Sequence, residues 1–407
     1  MNIIQARSKT QEERLSRLFF CTAAERNTGL SRTACYLLPI LVFGLARLLT
    51  IATFDHRGID PLKTDAQGYM ATARYVVAHG HLPDIDDQLY RQFPGLSFLI
   101  IPAYALLHDY TLAGEVVTAL SGLACIVLVQ YLFDDVRLSV LSAVFLPWAI
   151  IAGVGIASEW PTCLCFLLGL WAMRDARRWS PLYILGLLAA GYSLVLRPSA
   201  LFLIMPFLAL WAWREPRGGL RHAVTVMAVA SMPYLAALGW NWLSIRQLFP
   251  EQPLQQELLQ IYRREAAHPE CYSWHLLGLP GQSLLGGLAD PSAKLAKKVL
   301  TIVIIPVYLF ALFRLGCLAH RPREDDATRR LALALGGALL GTLAFHLCIG
   351  GNFGFKAFGR YLFIANTPVL VGLFYQRPLR WCWIVSLALV CLLYACLTGG
   401  DNALFTH

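Results

Sequence analysis

From residue 34 almost to the end of the chain, apolar stretches of about 15 to 23 residues alternate with short segments rich in Arg, Pro and Asp. A helix rises ~1.5 Å per residue, so an apolar run of this length is what a hydrocarbon layer ~30 Å thick requires. The stretches 34–53, 111–133, 137–156, 159–173, 180–196, 199–213, 220–241, 297–319, 330–350, 361–375 and 381–398 read as spans, about eleven in all. The predicted architecture is an all-α polytopic membrane protein. A cytoplasmic segment 1–33 precedes a single transmembrane domain over 34–398, and a short tail 399–407 follows. One further apolar stretch, 95–108, is short for a span and suits a helix lying in the interface.

Composition agrees with that pattern. The 407 residues are 57% apolar and 14% charged, against roughly a quarter charged in a water-soluble domain, which excludes a soluble enzyme, disorder and a disulfide scaffold. Mean hydropathy is +0.55. Of the eleven Cys, Cys125, Cys163, Cys165, Cys348, Cys391 and Cys396 lie inside apolar segments, where Cys acts as a small hydrophobe. Residues 1–33 mix Arg7, Lys9, Arg14 and Arg17 with Glu12, Glu13 and Glu25, without an apolar core, so a cleaved signal peptide is not expected. The net charge of +9 lacks the basic patch with interleaved aromatics that nucleic-acid binding needs.

The placement of arginine sets the topology. With the N-terminus in the cytoplasm and 95–108 not crossing, Arg174, Arg177 and Arg178, Arg214, Arg217 and Arg221, Arg321, Arg323, Arg329 and Arg330, and Arg377 and Arg380 all fall inside. If 95–108 crossed, all of these clusters would be exported. The non-crossing arrangement puts two long loops outside, one over 54–110 including the interfacial stretch and one over 242–296. Glu159, Arg197, Lys356 and Arg360 then sit at outer helix ends, where a charge is costly unless it lines a wet cavity.

Within the first loop, Tyr69, Ala73, Val76 and Val77 recur at helical spacing behind Thr64 and Asp65, residues suited to open a helix. The text Asp65-Ala-Gln-Gly-Tyr69, then Ala73-Arg74, Gly80 and Arg91-Gln-Phe-Pro94-Gly95, resembles the first periplasmic loop of GT-C glycosyltransferases, near the bacterial aminoarabinose transferases and protein O-mannosyltransferases. Ser158-Glu159 resembles the acidic helix start of that superfamily, Arg197-Pro198 its Arg-Pro helix start, and Gly359-Arg360-Tyr361 its late Arg-Tyr motif. These motifs are each a few residues long, and they fall in the right order between about positions 34 and 375. Glu115 stands where some relatives carry Arg.

The resemblance implies a GT-C-like bundle with outer-face interfacial helices, and a reaction that moves a sugar, with inversion, from a polyprenyl-phosphate donor to a lipid, glycan or protein acceptor. Such a reaction needs a carboxylate to take the acceptor hydroxyl's proton, and cations to hold the leaving phosphate. Asp65 is the candidate base; Arg197, Arg360 and Lys356 are candidates for the phosphate. Glu159, Asp55, Asp60 and Arg91 are candidates near acceptor or metal. Asp84, Asp86 and Asp87 have the oxygen ligands a divalent cation takes but not a defined loop, so metal dependence stays open. Tyr272, Trp274 and His275 in the second loop suit either sugar stacking or interfacial anchoring. A bacterial inner membrane is the expected location. Two other classes fit such a chain: a lipid or small-anion transporter, and a polymerase or ligase of polyprenyl-diphosphate-linked glycans.

Overall fold

A computed structural model describes residues 31–56, 65–83, 94–145, 147–216, 218–245, 295–348, 363–376 and 380–398. Their regular structure is entirely helical. In chain order the helices are α1 (Arg32–His56), α2 (Asp65–His79), α3 (Gly95–Leu107), α4 (Tyr110–Phe133), α5 (Val136–Val144), α6 (Pro147–Ala152), α7 (Glu159–Asp175), α8 (Pro181–Leu196), α9 (Leu201–Arg214), α10 (Leu220–Ile245), α11 (Leu295–His320), α12 (Asp326–Cys348), α13 (Asn366–Phe374) and α14 (Trp381–Thr398). Short 3-10 turns occupy Pro198–Ala200 and Phe363–Ala365.

Three helices, Arg32–His56, Tyr110–Phe133 and Leu220–Trp240, are long and apolar enough to cross a membrane, and several shorter apolar helices accompany them. Helix α1 shows why water is the wrong solvent for this surface. Cys35, Pro39, Phe43, Ala46, Thr50 and Phe54 face inward at three- and four-residue spacing, yet Leu37, Leu41, Leu45 and Leu48 on the opposite side are exposed. The same holds for Trp383, Val385, Leu389 and Leu393 of α14. A helix apolar on all sides with one side uncovered fits a hydrocarbon environment.

The expected span 137–156 is not one helix. Phe145 turns extended, Pro147 opens the six-residue α6, and residues 153–158 form a buried irregular stretch. Proline has no N–H to donate and its ring clashes with the preceding turn, which favours a break here, although α1 and α9 carry Pro39 and Pro206 within continuous helices. Irregular backbone at membrane depth survives only where protein covers it and supplies hydrogen bonds. Here the Trp160 indole N–H donates to the Ala149 carbonyl (3.2 Å), and Thr118 Oγ1 accepts from the Ala157 N–H (3.4 Å). The expected span 361–375 is likewise short, with a 3-10 turn leading into the nine-residue α13.

Small residues let the central helices touch. Gly169 of α7 faces Ala190 of α8, and Gly186 of α8 faces Ala172, so the two pack antiparallel at close range. A Cβ on Gly191 would lie 1.6 Å from the Ala230 carbonyl oxygen of α10. Helix α3 packs mainly against α4 and α2. Its first residue abuts the last residues of α8, and its C-terminal turn, with His108 left-handed, feeds directly into α4. Both landmarks are at the Glu159 end of the bundle.

Candidate functional site

Five elements converge at this end: the first half of α2, the start of α3, the starts of α4 and α7, and the end of α8. Local sequence explains the boundaries of α8 and α7. Helix α8 stops at Arg197 because Pro198 follows: the residue before a proline is pushed to extended backbone, and Arg197 adopts φ −153° and ψ 118°. Helix α7 begins at Glu159, so its acid lies in the first turn, where the helix dipole favours negative charge. Arg197 lies at the opposite, negative end of the α8 dipole.

Glu159 and Arg197 meet. Arg197 Nη1 lies 2.5 Å from Glu159 Oε1, with the carboxylate fully buried and the guanidinium 8% exposed. Two residues that the sequence assigns to different substrate groups are thus each other's partner. Removing two charges from water is costly, and a buried pair recovers that cost through its mutual attraction and the hydrogen bonds around it; the two helix termini add to this compensation here.

Helix α2 is fastened to the same spot. Ala66, Tyr69, Met70 and Ala73 form its buried stripe, together with Leu96, Ile100, Ala113, Ile156 and Leu196. The Tyr69 hydroxyl donates to Ser158 Oγ (3.1 Å), the neighbour of Glu159, and Ser97 Oγ donates to the Tyr69 carbonyl (2.8 Å). Gly95 closes the seam. Its Cα comes so near the Val195 and Leu196 backbone that a Cβ would lie 2.6 Å from it, and the Tyr192 hydroxyl donates to the Gly95 carbonyl (2.7 Å). Farther along α2, Arg74 stacks over Tyr110 (5.2 Å), whose ring lies 3.8 Å from that of Tyr104.

Asp65 is the first residue of α2, one helical turn before Tyr69. Asp55 is exposed on the last turn of α1 and forms no ion pair among the described residues. Asp60, Arg91, Lys356 and Arg360 lie outside the described residues. Phe363, three positions after Arg360, packs its ring edge-on against Trp160 (4.9 Å), the residue beside Glu159. Val77, a member of the apolar spacing read from sequence, is exposed; the stripe that docks is the earlier one through Ala66, Tyr69 and Ala73.

Two features escaped the sequence reading. One is the Tyr69–Ser158 link, signalled only by a tyrosine one turn beyond Asp65. The other is the neighbour of Glu115, which is half-buried and within electrostatic reach of Arg47 on α1 without forming an ion pair with it. Among the described residues no three His, Cys, Asp or Glu side chains gather as metal ligands. No family model matches this chain, and a search of curated proteins finds no matching relative.

Proposed function

We propose that the protein is an extracytoplasmic-face glycosyltransferase of GT-C type, taking a sugar from a polyprenyl-phosphate donor. The observation that carries the proposal is the junction of α2, opened by Asp65, with the buried Glu159–Arg197 pair through Tyr69 and Ser158. Acid for proton uptake and cation for phosphate then belong to one end of one bundle.

In this reading the acceptor hydroxyl oxygen attacks the anomeric carbon from the face opposite the phosphate. Its proton passes to the Asp65 carboxylate as the new bond forms. The bond from the anomeric carbon to the phosphate oxygen breaks, and the lipid phosphate leaves with the electron pair. Arg197 meets that charge: a guanidinium has five N–H donors, more than a carboxylate takes, so it can hold Glu159 and a phosphate oxygen together. Glu159 then acts as the counter-ion that fixes Arg197. Arg360 and Lys356 are the further phosphate candidates, with Asp55, Asp60 and Arg91 assigned to the acceptor side. A lipid, glycan or protein acceptor is reached from outside a bacterial inner membrane, with the arginine-rich loops in the cytoplasm.

The test is transfer of radiolabelled sugar from a panel of synthetic polyprenyl-phosphate donors to membrane extracts by the purified protein, wild type beside Asp65→Asn, with and without EDTA. Transfer by wild type that disappears in Asp65→Asn supports the class and the base. Undiminished transfer by Asp65→Asn removes the base, and the absence of transfer from every donor removes the class. A second reading, a lipid or small-anion transporter, draws on the broken α5–α6 segment, since transporters build sites from discontinuous helices. Saturable substrate movement in proteoliposomes with no covalent product would replace the first reading.

A further inference from the structure

At the end of the bundle opposite Glu159, one carboxylate clasps three chain segments. Glu215, the C-cap of α9, accepts from the Trp211 indole N–H (3.2 Å) and pairs with His222 Nε2 near the start of α10 (2.8 Å). Arg178, between α7 and α8, brings its Nε to 3.9 Å from the same carboxylate. The His222 side chain is buried, and that of Glu215 is 9% exposed.

Each acidic or basic member of this network has an exposed arginine as its chain neighbour. Arg177 precedes Arg178, Arg214 precedes Glu215, and Arg221 precedes His222. Consecutive Cα atoms are ~3.8 Å apart, so the contacts among Arg178, Glu215 and His222 also bring the backbones of the three exposed arginines near one another. Glu215 spends its charge inside, and no carboxylate among the described residues pairs with Arg177, Arg214 or Arg221.

The same segments display apolar groups between the arginines. Trp179, Trp213 and Leu220 are 39%, 60% and 76% exposed. Trp179 holds a left-handed backbone, φ 59°, which a residue with a Cβ adopts only when its surroundings impose it. Its ring packs edge-on against His222 (5.5 Å) and Tyr183 (5.7 Å), so the clasp itself holds the indole at the rim. Alternating guanidinium and indole groups is the chemistry of the headgroup layer: indoles sit between acyl chain and water, and arginine forks grip phosphodiester oxygens.

We propose that this patch binds the headgroup of an anionic diacyl phospholipid of the phosphatidylglycerol kind, with Arg177, Arg214 and Arg221 on the phosphate and Trp179 and Trp213 beside the glycerol and upper chains. The proposal rests on the bundle crossing a bilayer and is independent of the sugar-transfer reaction. Its occupant follows from charge complementarity: three cations without acidic partners among the described residues face a surface where a lipid phosphate is the abundant anion.

The experiment uses the full chain in nanodiscs of phosphatidylcholine alone or with phosphatidylglycerol added, read by thermal melting and by native mass spectrometry of retained lipid. Phosphatidylglycerol should raise Tm by several degrees in wild type and leave bound adducts, and inorganic phosphate at matched concentration should do neither. Arg177→Ala/Arg221→Ala should lose the phosphatidylglycerol-dependent shift while melting as wild type does in phosphatidylcholine. Arg321→Ala/Arg323→Ala, which removes as much charge elsewhere, should keep it. Should the alanine variant melt early in phosphatidylcholine, Arg177→Lys/Arg221→Lys replaces it, with fewer adducts expected because the fork is lost. An equal lipid-dependent shift in wild type and the patch variant would overturn the site, as would an equal loss in the control variant. A matching shift with inorganic phosphate would overturn the lipid.

Discussion

Replacing Glu159 by Gln leaves the Arg197 guanidinium, only 8% exposed, without the carboxylate 2.5 Å away. Breaking a buried ion pair by deleting one member costs about 3–5 kcal/mol, because the remaining charge stays desolvated. Arg197→Met should cost a similar amount, since it strands a carboxylate with no exposure at all. The double variant Glu159→Gln/Arg197→Met removes both charges while keeping side chains of similar volume, and should fall within about 1–2 kcal/mol of wild type. The coupling energy of the cycle is therefore roughly 4 kcal/mol or more, well beyond the additive behaviour of independent sites. Reversible unfolding of all four proteins in mixed micelles, titrated with denaturing detergent, measures it. Singles that simply add, with coupling below about 1 kcal/mol, would show that the charges are solvated. The account of this end as a dry, charge-compensated junction would then fail.

Tyr69→Phe keeps the ring and removes only the donor to Ser158, so it should cost about 0.5–1.5 kcal/mol in the same unfolding assay, and Ser158→Ala should add little to it. Gly191→Ala, whose Cβ would meet the Ala230 carbonyl at 1.6 Å, should destabilise by about 3 kcal/mol; Gly44→Ala, with nothing within 4 Å, should be neutral or stabilise by up to ~1 kcal/mol, as melting temperatures will read. Asp325 caps α12 by accepting from the Thr328 N–H (2.6 Å), and Asp325→Ala should cost about 1 kcal/mol at neutral pH. The Thr328 backbone and side-chain hydrogen bonds hold the Asp325 carboxyl below its ordinary range. Its contribution is therefore complete above the unfolded-state value near ~3.9 and fades as pH falls through the lower folded value, so wild type and Asp325→Ala should converge in Tm as the pH drops below about 4.

Much of the helical layout is legible in the chain because apolar run length is a local property. The stretches 34–53, 111–133, 180–196 and 381–398 reappear as helices with ends shifted by a few residues. Reading 137–156 as one span misses the break because its apolar count is unaffected by Pro147; the break depends on whether Thr118 and Trp160, on other segments, can satisfy the freed backbone. Asp65 at a helix start, and Glu159 and Arg197 at helix ends, are also readable, since Pro198 and the acidic first turn are local signals.

Which charges touch is a different kind of fact. Nothing at positions 159 and 197 states that α7 and α8 pack antiparallel closely enough, through Gly169 and Gly186, to bring the end of one beside the start of the other. Sequence alone determined that this chain is a set of apolar helices with sparse charges at their ends, because burying such helices in water is impossible and the periodicity needs no partner. Only the tertiary structure decided that Glu159 answers Arg197, that Tyr69 ties Asp65's helix to them, and that Glu215 gathers the arginine loops at the far end. Those contacts are set by helix crossing and by where small residues let backbones meet, and both are properties of pairs of segments far apart in the chain.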